Sequence, residues 1–162
     1  RGWCMRKLIT GESEHLQQTK RSGDWLDLEQ LAQVEISSED ADHPIESALI
    51  QNNASGWRAN EPGKQTIRLV FDNPQNITRI QLLFEESGHE RTQEFVLRWS
   101  PDDRDNQREI VRQQYNFSPA ANTRELEDYT VNLDGVLILE MDITPDISGG
   151  NARASLARLR LA

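Results

Sequence analysis

The chain has 162 residues, a formal net charge of −9, 36% hydrophobic and 6% aromatic residues, and a mean hydropathy of −0.73. That length supports one domain with its own core, and no apolar run approaches the ~20 residues that a membrane helix needs. An acidic surface of this kind is a poor partner for polyanions unless a local patch overrides the mean. One cysteine, Cys4, excludes an internal disulfide and a thiolate metal cluster within one chain. Its solitude mildly favours the cytoplasm. The basic opening residues precede no apolar stretch of signal-peptide length; localisation stays open.

In chain order, residues 1–24 read as an N-terminal arm or linker, with 7–10 able to pair as a short edge strand, and residues 25–162 as the domain. Ala32 to Ser37 is the first core strand. His43-Pro44-Ile45-Glu46-Ser47-Ala48-Leu49 is the one helical candidate. Asp42 is placed to cap its start, and Ile45 and Leu49 share a face. From Gln65 onward the period is two. Ile67, Leu69 and Phe71 form one row, Asp72-Asn73-Pro74-Gln75 a turn, and Ile80, Leu82 and Phe84 a second row. Phe95, Leu97 and Trp99 make the next row, and Glu109 to Tyr115 another strand. Tyr129, Val131 and Leu133 run to a hairpin-type turn at Asp134-Gly135. Leu137, Leu139, Met141 and Ile143 follow, then a long polar loop from Thr144 to Arg153. Ala157, Leu159 and Leu161 close the chain, with Arg158 and Arg160 expected to face outward. About eight short strands with turn residues between them predict an all-β, antiparallel β-sandwich or jelly roll with one short helical turn.

Charge is unevenly spread. From Trp25 to Gln51 there are seven acids and no Lys or Arg; from Gly150 to Ala162 there are three arginines and no acid. Arginine outnumbers lysine 15 to 3. Because its planar fork suits bidentate pairing with carboxylates, cross-strand ion pairs are expected.

Gly56-Trp57, Trp99-Ser100-Pro101-Asp102 and Ala154-Ser155-Leu156-Ala157-Arg158-Leu159 occur in an order and spacing that resembles the galactose-binding-like β-sandwich family, which holds discoidin and coagulation-factor C-type domains and many carbohydrate-binding modules. The resemblance covers roughly residues 32 to 162. Within it, Ser37-Ser38-Glu39-Asp40, His43, Glu46, Leu49, Trp57-Arg58-Ala59, Gly63 and Thr66-Ile67 are similar to the N-terminal domain of the DNA single-strand-break repair scaffold. The resemblance implies a non-catalytic module that engages other macromolecules. It also implies a structural calcium in many carbohydrate-binding members, held by an acid before the Trp and by a closing Glu. Here the segment 49–55 has no acid and Arg158 stands at the closing position. A cation cannot ligate calcium, so no metal and no cofactor is expected.

Other candidate sites have competing structural explanations. Asp102 to Asn106 lacks the Gly and Glu of a calcium loop and reads as a solvated turn. Glu39-Asp40-Ala41-Asp42-His43 can hold a metal, or Asp42 can cap the helical turn while Glu39 or Glu46 pairs with Arg58. Trp57 is either a stacking platform for a ligand or a core residue at the sandwich rim. No G-x-S-x-G elbow, phosphate-binding Gly loop or H-E-x-x-H occurs, so an enzyme is not expected.

Loops at one end of such a sandwich carry ligands. The expected ligand-binding set is Asn52, Asn53, Trp57, Arg58 and Asn60, joined by His89 and Arg91. The expected ligand is a glycan or a protein partner. The alternative is a scaffold domain that docks a repair protein or nicked DNA, which would need Arg153, Arg158 and Arg160 to form one basic face with Arg98 or Arg112. A membrane partner needs apolar loop tips over a basic ring, which polar loops do not supply.

Overall fold

The period-two rows become the buried faces of long strands in the computed structural model, which describes residues 5–9, 21, 22, 25–50 and 56–162. In chain order the elements are β1 (Lys7–Ile9), β2 (Arg21–Ser22), β3 (Trp25–Leu26), α1 (Leu28–Leu31), β4 (Ala32–Ile36), α2 (Glu46–Leu49), β5 (Trp57–Pro62), β6 (Gln65–Glu85), β7 (Arg91–Ser100), β8 (Arg108–Phe117), β9 (Arg124–Thr144), β10 (Arg153–Leu156) and β11 (Arg158–Leu161). The main sheet runs β1-β4-β6-β9-β7-β8, with β11 also on β6; β10 pairs β5, and β2 pairs β3. All pairings are antiparallel except β1 with β4.

The turns expected at Asp72–Gln75 and Asp134-Gly135 are not chain reversals. Each lies inside a single 21-residue strand. The two irregular stretches face each other, and the β6–β9 register shifts there between Val70 and Arg79. Gly135, at φ 72°, donates its N–H to Asn76 Oδ1 at 2.9 Å. Turn residues on paired strands produce bulges rather than hairpins when pairing resumes beyond them. The bends let one long strand pair serve both layers of the sandwich. The first half of β6 pairs β4, its second half pairs β11, and β9 follows it through both halves.

Between the layers lies one apolar core. Trp57, Phe84, Phe95 and Phe117 are its largest fully buried side chains, and Phe84 stacks on Phe95 at 5.3 Å. Within the segment expected as an arm, β1 joins the main sheet and Met5 is buried in the core. Charge fixes this edge: Arg6 pairs with Asp72 at 2.6 Å, and Lys7 bridges Glu39 and Glu46.

The other face of the main sheet carries the expected cross-strand ion pairs. Arg68 bonds Glu35 and Glu140, both at 2.8 Å, and Arg98 bonds Asp142 at 2.7 Å. These partners sit opposite or diagonal in register on β4, β6, β9 and β7.

Arg160 departs from its expected outward position. It is buried and donates to Ala48 O at 2.9 Å, Leu159 O at 2.8 Å and Ile50 O at 3.4 Å. The last carbonyls of a helix lack intrahelical partners, so the guanidinium closes the end of α2. Burial first, and Arg158 second, lower its pKa to about 10.

Candidate functional site

The acidic turn and the Trp-Arg pair are tied together by main-chain bonds. Asp40 N donates to Arg58 O at 2.8 Å and Arg58 N to His43 O at 3.1 Å. Trp57 is 1% exposed, and its Nε1 donates to Ser38 O at 3.0 Å. A ring so enclosed has no face to offer a sugar or base, so Trp57 is withdrawn from the ligand-binding set. Gly56 fixes the entry to β5. At φ 75° it has a conformation that side chains rarely adopt, and a Cβ there would lie 2.9 Å from Ala157 Cα and Leu156 O.

The cluster from Glu39 to His43 is structural. Glu39 accepts Lys7 at 2.8 Å and the main-chain N–H of Ile45 at 3.0 Å. The expected cap by Asp42 is replaced by this reach from Glu39, because α2 begins only after Ile45. The expected pairing of Glu39 or Glu46 with Arg58 does not form either: Lys7 takes both acids, and Arg58 turns to Glu86. Among the described residues no three His, Cys, Asp or Glu side chains converge as a metal set.

A cleft of about 660 Å³ opens beside Arg58. Its walls are Arg58, the segment from Glu85 to Arg91, and residues between Asp146 and Arg153. Of the expected set, the fold brings Arg58, His89 and Arg91 together here. Asn60 is exposed outside the lining, and its N–H is spent on Ser38 Oγ at 3.0 Å. Asn52 and Asn53 lie outside the described residues.

One buried carboxylate organises the cleft wall. Glu86 accepts Arg91 Nη1 at 3.0 Å, Arg58 Nη2 at 3.3 Å and Ser155 Oγ at 2.8 Å. Burial pushes its pKa up, but the bond and charge from Arg91, then Ser155 and Arg58, hold it below the usual carboxylate range. Arg91 is itself buried, gives Nε to Pro145 O at 2.8 Å and lies over the Phe117 ring at 5.6 Å. Pro145 begins the loop that carries Asp146 and Asn151, so this arginine ties the two loops of the cleft together.

The rim is less constrained. His89, Asn151 and Arg153 line the cleft, His89 and Arg153 are exposed, and among the described residues no hydrogen bond or ion pair engages the Arg153 side chain. Among the described residues the lining holds no Trp, Tyr or Phe. Sequence reasoning gave Glu86 no role and read 144–153 as a long polar loop. Its one available signal was that Asp146, Gly149-Gly150 and Asn151 share a loop too long for a simple turn.

The basic face needed for a nucleic-acid partner does not assemble. Arg160 is buried, Arg98 is paired with Asp142, and Arg112 is paired with Glu94 and Glu109. Arg158 is partly exposed at the position where the resemblance implies a calcium-binding Glu, and this donor does not fit the ion.

The structure is a β-sandwich that holds polar loops around an open recess. The chain belongs to the F5/8 type C domain family, which residues 33–138 match. Solved structures share the fold. The third family-32 carbohydrate-binding module of a family 31 glycoside hydrolase from Clostridium perfringens has a TM-score of 0.62 at 19% identity, covering 85% of this chain and 93% of that one. The family 32 module of NanJ from C. perfringens, in complex with galactose, gives 0.59 at 14%, with 80% and 92% covered. Reduced XRCC1 bound to the DNA polymerase β catalytic domain gives 0.53 at 12%, with 78% and 91% covered. No curated protein matches the chain.

Proposed function

We propose that this domain is a non-catalytic glycan-binding module and that the cleft bounded by Arg58, residues 85–91 and residues 146–153 is its ligand site. The observation that carries the reading is the Glu86 cluster. A buried carboxylate, held ionised, fixes Arg58 and Arg91 at the wall of an open recess. Donors held in place before the ligand arrives lower the cost of ordering on binding. Hydroxyl-rich ligands use such mixed sets of donors and acceptors, here Arg58, Arg153, His89 and Asn151 with Asp146 and Glu90. The family to which the chain belongs and a neighbour that holds galactose support the same ligand class.

Recognition by this lining is polar, because Trp57 is buried and, among the described residues, no Trp, Tyr or Phe lines the recess. A glycan-array screen followed by calorimetry tests the proposal. Arg153→Ala, which removes an exposed side chain that no hydrogen bond or ion pair engages among the described residues, is expected to weaken binding of an array-identified glycan about fivefold or more without changing the melting temperature. Absence of glycan binding across the array would move the domain to a protein partner.

A further inference from the structure

Beneath the cleft, the two layers meet at a set of polar groups with no cation among them. Gln93 on β7 and Glu125 on β9 are 1% and 2% exposed, and Gln93 Nε2 donates to Glu125 Oε1 at 3.3 Å. β7 pairs with the second half of β9, whereas Glu125 lies in the first half, which pairs with β6. The bond therefore crosses between layers. Glu125 Oε2, Gln93 Oε1 and Tyr129 Oη are each buried without a hydrogen-bond donor or acceptor to meet them. Glu127, two residues further along β9, is partly exposed, and it adds to the upward push that burial puts on the Glu125 carboxyl.

Among the described residues no ion pair neutralises a negative charge on Glu125. β6 presents Phe84 and Leu82 opposite Glu125 and Glu127. On β7 the nearest cation is Arg91, two residues before Gln93 on the same face, and it is committed to Glu86 and Pro145 O. β8 presents Tyr115, whose hydroxyl donates to Arg124 O, and Phe117. β9 adds Tyr129, whose phenol is pushed up by burial and then by both glutamates, and so remains protonated. A carboxyl as buried as Glu125, with one amide donor and no cation bonded to it, ionises only at a cost.

We propose that Glu125 and Gln93 form a proton-operated clasp between the layers, closed while the Glu125 carboxyl keeps its proton and loosened when it ionises. The proton supplies the donor that Glu125 Oε2 lacks. Burial first, then Glu127, pushes the Glu125 carboxyl up to about 8, which places the transition just above neutrality. On the reading of the cleft as the ligand site, the clasp also regulates it. Arg91 lies two residues before Gln93 on the same face of β7, packs over Phe117, and holds Glu86 and through it Arg58.

The test is a carboxyl-carbon NMR titration of the intact, ligand-free protein from about pH 5 to pH 9.5, paired with thermal melts of wild type, Glu125→Gln and Glu127→Gln. The folded Glu125 carboxyl holds a proton that the unfolded chain has released above 4.5, so its contribution to wild-type stability falls from there to about 8 and then levels off. The expected result is a Glu125 resonance that titrates near 8. Glu125→Gln keeps a neutral donor, and its melting temperature is expected to depend less on pH than that of wild type. Titration of the Glu125 carboxyl at its ordinary value in the folded protein overturns the clasp even if neither variant folds. So does stabilisation at pH 8.5 by millimolar calcium chloride that both Gln variants lose, which would make the pair a metal site. None of these readouts needs a glycan, so the clasp and the cleft stand or fall separately. If a glycan is found, affinity unchanged from pH 6 to pH 9 while Glu125 titrates overturns the regulatory link alone.

Discussion

Glu86→Ala is the sharpest probe of how the cleft is built. Glu86 is 7% exposed and answers Arg91, Arg58 and Ser155. Removing one member of a buried ion pair costs about 3–5 kcal/mol, because a charge is left uncompensated out of water. The lower end applies here. The Arg58 side chain is 36% exposed and rehydrates, while Arg91, at 5%, keeps only Pro145 O. The expectation is therefore a loss of about 3 kcal/mol, which in a domain of this size lowers the melting temperature by roughly 6–12 °C. Urea unfolding followed by circular dichroism measures it directly. Glu86→Leu combined with Arg91→Met removes both charges and is expected to recover at least half of the loss. The pH dependence has a fixed sign. The folded carboxyl titrates below its unfolded value, so its contribution is present above about pH 4.5 and is lost as pH falls through the folded value. Wild type should then be more acid-sensitive than Glu86→Gln. A loss below about 1 kcal/mol for Glu86→Ala, or no recovery in the double variant, would refute the view that this carboxylate clamps the arginines.

Three further outcomes follow from the same geometry. Gly56→Ala is expected to destabilise by about 2 kcal/mol or more in the same urea assay, because a positive φ and a contact of 2.9 Å with main-chain atoms must both be relieved. Trp57→Phe loses the bond to Ser38 O and should cost about 1–2 kcal/mol, whereas Trp57→Ala should cost about 3–5 kcal/mol; acrylamide should not quench this ring in wild type. Arg160→Met strands the carbonyls of Ala48 and Ile50, and a loss of about 1–3 kcal/mol, with faster amide exchange in α2, is expected.

Local pattern was enough for the core because alternation reports directly which side of a strand is buried. Ile67, Leu69 and Phe71, then Ile80, Leu82 and Phe84, then Phe95 and Leu97, then Leu139, Met141 and Ile143 were all identifiable as inward rows, and all are buried. Alternation failed where a side chain could satisfy itself on a distant backbone. Arg160 sits in an apolar-polar alternation that points it to solvent, yet carbonyls 110 and 112 residues away make its burial favourable. Turn chemistry failed similarly at Asp72–Gln75 and Asp134-Gly135. Each segment has the right residues for a reversal, and only their mutual pairing turns them into bulges.

The residues themselves determined the β-sandwich, most of its inward rows and the absence of catalytic motifs, because these depend on neighbours two to four positions apart; Trp99 and Leu137, expected in such rows, are only partly buried. The cleft was decided by tertiary structure alone. Ser155 reaches Glu86 across 69 residues, Arg58 across 28, and Arg91 joins them by tethering the loop after Pro145. No periodicity along the chain records which loops meet at the end of a sandwich. That follows from the bends that carry β6 and β9 through both layers and so bring residues 58, 86 and 155 to one place.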